Sequence, residues 1–236
     1  RLRTVTGVQT CALPICAGRH DRLRHMSESF RDVISTTRSI RRIKPDPVPE
    51  DALRRVLEAA LWAPSGGNRQ PWRMVVVRDT ELKRGLGAIY AREWATYVDY
   101  NMNSVRDAPE SVRSRVAAGL AVGTRLAENL HEVPVVVVFV HDPSLLYVTD
   151  AKLGRTPVVG GASLYPAVQN LLLAARAEGL GGVLTTLISQ GEPDVQKLLG
   201  IPKEWGVHAM IPLGWPQGAH GPLTRRPLEE MVHWDR

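Results

Sequence analysis

The run Glu132-Val133-Pro134-Val135-Val136-Val137-Val138-Phe139-Val140 constrains the fold more than any other stretch. Its β-branched residues favour extended backbone, and no polar residue alternates with them from Val135 on, so neither face can be left to water. It reads as a buried central strand. The elements around it are legible in turn. Phe30, Val33, Ile34, Thr37 and Ile40 fall at helical spacing and predict a helix over 28–41. Pro45, Pro47 and Pro49 force an extended arm. Pro49, Glu50 and Asp51 then suit the first turn of a second helix, whose apolar face is Leu53, Val56, Leu57, Ala60 and Leu61. A strand is expected over 73–78, and 81–131 reads as helical but irregular. Val168, Leu171, Leu172, Ala175 and Arg176 predict a helix over 161–178, closed by Gly179. Gly181–Leu187 reads as a short strand with a polar end, Asp194–Leu199 as a small helix, and His208–Leu213 as the last core strand. Residues 216–236 form a tail rich in Pro and Gly. Strands separated by helical patterns make the chain α/β or α+β.

Between the second helix and its strand stands Ala63-Pro64-Ser65-Gly66-Gly67-Asn68-Arg69-Gln70-Pro71-Trp72. Pro64 stops the helix. The glycines let backbone approach a flat ligand, and Ser, Asn and Gln offer donors and acceptors to a heteroatom-rich edge. A plain helix-to-strand turn would use the same glycines. Arg38, Ser39 and Arg41 lie within four residues, and Arg225-Arg226 stand far downstream. Guanidinium forks beside a hydroxyl suit a phosphate, while the same arginines at a helix C-terminus would complement its dipole and face water. In the irregular middle, Trp94, Tyr97, Tyr100 and Met102 suit a mobile cover over a pocket, or an aromatic wall for planar substrates, as well as ordinary packing.

Composition matters chiefly through the first 25 residues. Val5-Thr6-Gly7-Val8-Gln9-Thr10-Cys11-Ala12-Leu13-Pro14-Ile15 resembles one reading frame of a sequencing-library adapter, and the next initiator is Met26. Residues 1–25 are therefore expected to be a non-native or disordered leader, with 26–236 a single domain. The formal charge of +6 falls to +2 once the leader's five arginines and one aspartate are set aside, leaving 25 basic and 23 acidic residues. The argument for nucleic acid goes with it. Both cysteines, Cys11 and Cys16, lie in the leader, so no disulfide, thiolate metal site or cysteine nucleophile is expected beyond it. The seven histidines lack metal-ligand spacing. No apolar run nears the roughly 20 residues that span a bilayer, and a cytoplasmic protein is expected.

Four motifs in order resemble the FMN-dependent nitroreductase family over 28–232. They are Arg38-Ser39-Ile40-Arg41, the 63–72 loop, Gly179-Leu180-Gly181-Gly182-Val183-Leu184-Thr185-Thr186, and Arg225-Arg226-Pro227-Leu228. The resemblance implies an α+β three-layer sandwich, its central, mainly antiparallel sheet flanked by helices. It also implies an intertwined homodimer with two FMN molecules at the interface. Arg38, Ser39, Arg41 and Arg225 would hold the FMN phosphate. Pro64, Ser65, Gly66 and Asn68 would line the ring. Leu184, Thr185 and Thr186 would cover N5, with either threonine donating a hydrogen bond there. NAD(P)H would supply hydride, and a planar acceptor (nitroaromatic, quinone or flavin) would receive it. Thr37 stands where many members carry arginine, leaving the grip one arginine short unless Arg42 or Arg226 substitutes. The chain has no Gly-x-Gly-x-x-Gly fingerprint for a separate dinucleotide domain.

Within that family, iodotyrosine deiodinase holds an amino-acid zwitterion under a lid with Glu and Tyr four residues apart and a Lys further on. Glu93 and Tyr97 have that spacing, with Trp94 and Tyr100 beside them. No lysine lies between Lys83 and Lys152, so Arg113 or Arg115 would have to serve. A reductive dehalogenase, an FMN-storing or flavin-consuming protein without NAD(P)H turnover, and a non-flavin phosphate-binding module stand as alternatives to the reductase.

Overall fold

The valine run is the middle of the molecule. The computed structural model describes residues 29–235; the expected leader and residue 28, the expected start of the first helix, lie outside them. The run forms β2 (Val135–His141), between β1 (Trp72–Val77) and β4 (Gly206–Gly214), and a two-residue β3 (Gly181–Gly182) completes an antiparallel sheet in the order β1-β2-β4-β3. Its alternation is real, but both faces are dry. Val136, Val138 and Val140 enter one apolar cluster, while Val135, Val137 and Phe139 enter the other.

Two helical layers explain the two clusters. On one face α2 (Glu50–Leu61) packs Leu53, Val56 and Ala60 against Val168, Leu171 and Ala175 of α5 (Tyr165–Ala177). A bidentate bond from Arg55 to Glu178, at 2.7 and 2.8 Å, ties the middle of α2 to the end of α5. On the other face lie α3 (Thr80–Ser104), α4 (Glu110–Glu128) and α6 (Glu192–Leu199). Two short helices flank the sandwich: α1 (Phe30–Thr36), against α5, and α7 (Leu228–Met231), in the tail. The fold is the expected α+β sandwich.

The first helix stops at Thr36 instead of residue 41. Thr36 and Thr37 turn their hydroxyls back onto the Asp32 and Val33 carbonyls, both at 2.6 Å, and Thr37 is already extended. Residues 38–44 then run as a strap across the sheet's end. Ile40 N–H donates to the Gly182 carbonyl (2.9 Å), Lys44 N–H donates to the Trp215 carbonyl (2.8 Å), and Gln217 N–H donates to the Arg42 carbonyl (3.0 Å). Competing partners across the chain, invisible to helical periodicity, decide this segment.

The irregular middle is two long helices. Asp79 caps α3 by accepting from Leu82 N–H at 2.8 Å. The first half of α3 buries Leu86, Ile89, Tyr90 and Trp94 on the core, whereas further on only Val98 packs against that cluster, so one apolar stripe does not run its length. α5 begins at Tyr165, four residues later than expected, with Pro166 in its first turn and Gly179 (φ 75°) beyond its end. The expected strand 181–187 shrinks to β3 plus a bridge from Thr185 to Met210, because the chain turns into a 3-10 helix at Leu187–Gly191.

Candidate functional site

The 63–72 loop carries unusual backbone. Gly67 (φ 59°), Asn68 (φ 53°) and Gln70 (φ 49°) are all left-handed, costing on the order of 1 kcal/mol or more at each of the two non-glycine positions. Hydrogen bonds hold the strain. Ser65 Oγ accepts from Gln70 N–H (3.0 Å), the Gln70 side-chain amide donates to Asn68 Oδ1 (3.2 Å), and Gly66 N–H donates to Ser163 Oγ (3.0 Å). Pro64, Gly66 and Asn68 are exposed and Ser65 is half-buried. A plain turn between a helix and a strand has no need of two strained polar residues. The loop presents amides and a hydroxyl outward, beside the start of α5.

The strap sorts its side chains by face. Ile43 is buried and Ile40 covers Gly181, where a Cβ would stand 2.8 Å from Ile40. Arg38, Ser39 and Arg42 are exposed and Arg41 is half-buried. Among the described residues no carboxylate pairs with Arg38, Arg41 or Arg42. The tail returns alongside: the Arg38 guanidinium comes within 3.8 Å of where a Cβ on Gly221 would stand, and exposed Arg225 follows four residues later, bonded to the Thr224 carbonyl at 2.8 Å. Thr37, with its hydroxyl bound to the Val33 carbonyl, is not projected toward an anion.

Leu184, Thr185 and Thr186 do not act as one group. Leu184 and Thr186 are exposed, whereas Thr185 is 8% exposed and pairs with Met210 through both backbone groups (3.0 and 2.9 Å). The Thr185 side chain meets the phenol of Tyr90. Burial pushes that phenol above the usual tyrosine range, offset in part by the hydrogen bond to Thr185 and by the charge of Arg41. Tyr90 therefore links α3 to the 184–186 segment. The sequence gives no sign of this, because Tyr90 lies on the apolar stripe of α3 among core residues.

Buried His208 and half-buried His141 lie beside the loop's anchor. A β-bulge makes His208 the extra residue of β4, with Val207 opposite Val140 and Ala209 opposite Phe139. His208 packs edge-on against His141 and Tyr165, at ring separations of 5.3 and 5.9 Å. Neither of its ring nitrogens finds a partner among the described residues, and burial, with a smaller effect from His141, pushes it down to about 3. No group of three or more His, Cys, Asp or Glu among the described residues is placed to hold a metal ion.

The expected cover divides. Trp94 is a correction: it is 8% exposed, donates from Nε1 to Thr124 Oγ1 (2.9 Å) and fills the space over Gly123, so it belongs to the core between α3 and α4. Glu93 is turned toward Gly191 and bound to Arg92 (2.7 Å), which also pairs with Asp194 of α6 (2.9 Å). Tyr97 rests on the Trp94 ring at 5.3 Å, and Tyr100 is 72% exposed. Beyond them an open groove of about 430 Å³, lined by Val98, Met102, Ala117 and Leu120, runs between α3 and α4.

The two polar constellations stand apart. The loop is anchored at Ser163, before α5; the strap follows Thr36, whose hydroxyl accepts from Arg176 Nε (2.9 Å) in the last turn of α5. At 1.5 Å per residue those anchors are about 20 Å apart. The strap and the 64–68 loop are thus tied to opposite ends of α5.

Comparison with known proteins gives a consistent picture. The model of the nitroreductase family matches residues 34–215. The chain is 34% identical over 202 residues to an NADH dehydrogenase of Thermus thermophilus, covering 84% of this chain and 91% of that protein. It is 29% identical over 212 residues to iodotyrosine deiodinase 1 of Rattus norvegicus, covering 89% and 70%. A nitroreductase-like protein of Desulfovibrio desulfuricans, solved in complex with FMN, is 26% identical and superposes with a TM-score of 0.62, covering 89% and 98%.

Proposed function

The chain belongs to the nitroreductase family, and from that premise we propose that it is an FMN-dependent oxidoreductase, working as a homodimer, that takes hydride from NAD(P)H and passes it to a small planar acceptor such as a nitroaromatic, a quinone or a flavin. The observation that carries this reading is the pair of constellations at opposite ends of α5. One is a strap of arginines and a serine without carboxylate partners among the described residues; the other is a strained loop that turns amides outward. Each suits one end of a phosphate-bearing aromatic cofactor, and two copies related by a two-fold axis can supply both ends to one molecule. Large exposed apolar residues give such a dimer its surface: Leu61, Trp62, Tyr147 and Val158 are between 55% and 83% exposed.

The residues present fit FMN. Arg38, Arg41 and Arg225, with the Ser39 hydroxyl, would hold the phosphate by charge-assisted bonds, with exposed Arg42 or Arg226 to supply the charge that Thr37 lacks. Pro64, Ser65, Gly66 and Asn68 would border the ring, where Gly66 has no side chain to hold it off. Bound FMN supplies the redox chemistry, taking and giving hydride at N5. Exposed Thr186 offers a hydroxyl for that edge, while buried Thr185 holds the segment in place through Tyr90 and Met210. Exposed Leu184 would exclude water from the ring's face. The name of the Thermus relative supports a nicotinamide donor. The binding of Glu93 to Arg92, and its position against Gly191, give a deiodinase-type lid no support.

The test is the visible spectrum of the full chain before and after anaerobic NADH and NADPH. The expected result is a yellow protein that either nucleotide bleaches, with flavin lost from Arg41→Ala and Arg225→Ala. A yellow protein that neither nucleotide bleaches would overturn the reductase in favour of dehalogenation or flavin storage. A chain that takes up no FMN would overturn the cofactor.

A further inference from the structure

Arg73 stands at the start of β1, outside every motif that marks the site, yet its contacts converge on the strained loop. Its Nη1 donates to the Gln70 carbonyl (3.0 Å) and to the Trp72 carbonyl (2.8 Å), and its guanidinium lies 5.7 Å from the centre of the Trp205 ring. Gln70 is the last left-handed residue of the loop, and its N–H donates to Ser65 Oγ, which closes the loop on itself. A charge-assisted donor fixes the carbonyl of that residue. The aromatic face of Trp205, just before β4, fixes the donor in turn. The conformation of Ser65 to Gln70 is thus held from two directions: by Ser163 at Gly66, and by Arg73 at Gln70.

We propose that Arg73, braced by Trp205, is a positioning residue that locks the Pro64–Gln70 loop in the left-handed conformation that meets the flavin ring. The loop's contact with flavin rests on the function proposed above; the clamp itself does not. An arginine is required because one side chain must reach two carbonyls and present a flat cation to an indole at the same time. Lysine would keep the charge and lose the plane.

Two measurements separate the clamp from the flavin reading. The first is backbone hydrogen exchange of the flavin-free full chain, wild type against Arg73→Met, Arg73→Lys and Trp205→Phe. The amides of 66–72 are expected to exchange roughly tenfold faster in Arg73→Met, with smaller increases in the other two, while α5 and β2 stay as in wild type. Unchanged exchange at 66–72 in Arg73→Met would overturn the clamp, whatever the flavin does. The second is FMN binding by fluorescence quenching, with the visible circular dichroism of the bound flavin. Kd is expected to rise about tenfold in Arg73→Met, with an altered dichroism band and partial recovery in Arg73→Lys. Faster exchange with unchanged Kd and dichroism would overturn the positioning role. A wild type that binds no FMN, with faster exchange in Arg73→Met, would sink the flavin reading and leave the clamp standing.

Discussion

At the scale of single residues, neighbours in sequence take opposite parts. Thr185 and Thr186 are chemically the same, but Thr185 is bridged to Met210 and buried, while Thr186 stands exposed where the chain turns into the 3-10 helix. Thr186→Val should leave flavin bound and slow its reduction by nicotinamide about tenfold, the worth of one hydrogen bond, in stopped-flow traces. Thr185→Val should instead cost about 1 kcal/mol in urea unfolding by leaving the Tyr90 phenol without its partner. His208 makes the chain acid-sensitive. Its folded value near 3 lies below the ordinary 6.5, so the unfolded chain binds the extra proton. Its stabilisation is complete above pH 6.5 and is lost as pH falls toward 3. By pH 4.5 the loss should be on the order of 2–3 kcal/mol, and His141, also held down by burial, acts in the same direction. Urea unfolding from pH 7 to 4.5 should show a shallower loss in His208→Phe than in wild type; parallel curves would refute the assignment.

At the scale of elements, the strap matters most. Its helical spacing is genuine, yet two threonines end the helix and the backbone finds partners on Gly182, Trp215 and Gln217. Gly181 makes room for it. In Gly181→Val the new side chain would drive Ile40 off the sheet end, costing about 1–3 kcal/mol and carrying Arg38 and Arg41 with it. Lower stability together with lost flavin is expected, read by urea melts and by absorbance after desalting. Gly119→Ala, inside α4 where a Cβ meets nothing within 4 Å, should leave flavin bound and raise stability by up to about 1 kcal/mol. Residue patterns predicted α2, β1, β2 and β4 to within three residues at each end, because each packs against the same neighbours along its length. They failed at α1, at β3 and across α3, where partners change partway along the element.

At the scale of the whole molecule, the separation along α5 has a direct consequence. If one flavin takes the strap of one copy and the loop of another, Arg41→Ala and an Asn68→Ala, Gly66→Val double variant should each lose flavin alone. Unfolded together and refolded as a mixture, they should regain about a quarter of the wild-type flavin, since half the dimers pair unlike chains and each of those has one intact site. No recovery would place both constellations on one chain's ligand and refute the composite site. No helix among the described residues is long and apolar enough to cross a membrane.

The sequence by itself determined the doubly covered central strand, the α+β order of elements, the polar loop after Pro64 and the arginine motif, because periodicity and residue chemistry are local properties. Only the tertiary structure decided which side chains those motifs can use. It turned Thr185 inward and Thr186 outward, drew Trp94 into the core, and made Arg73 and Tyr90 neighbours of segments far from them in the chain. Burial and partnership are set by what packs against a residue from elsewhere, and neither spacing nor composition carries that information.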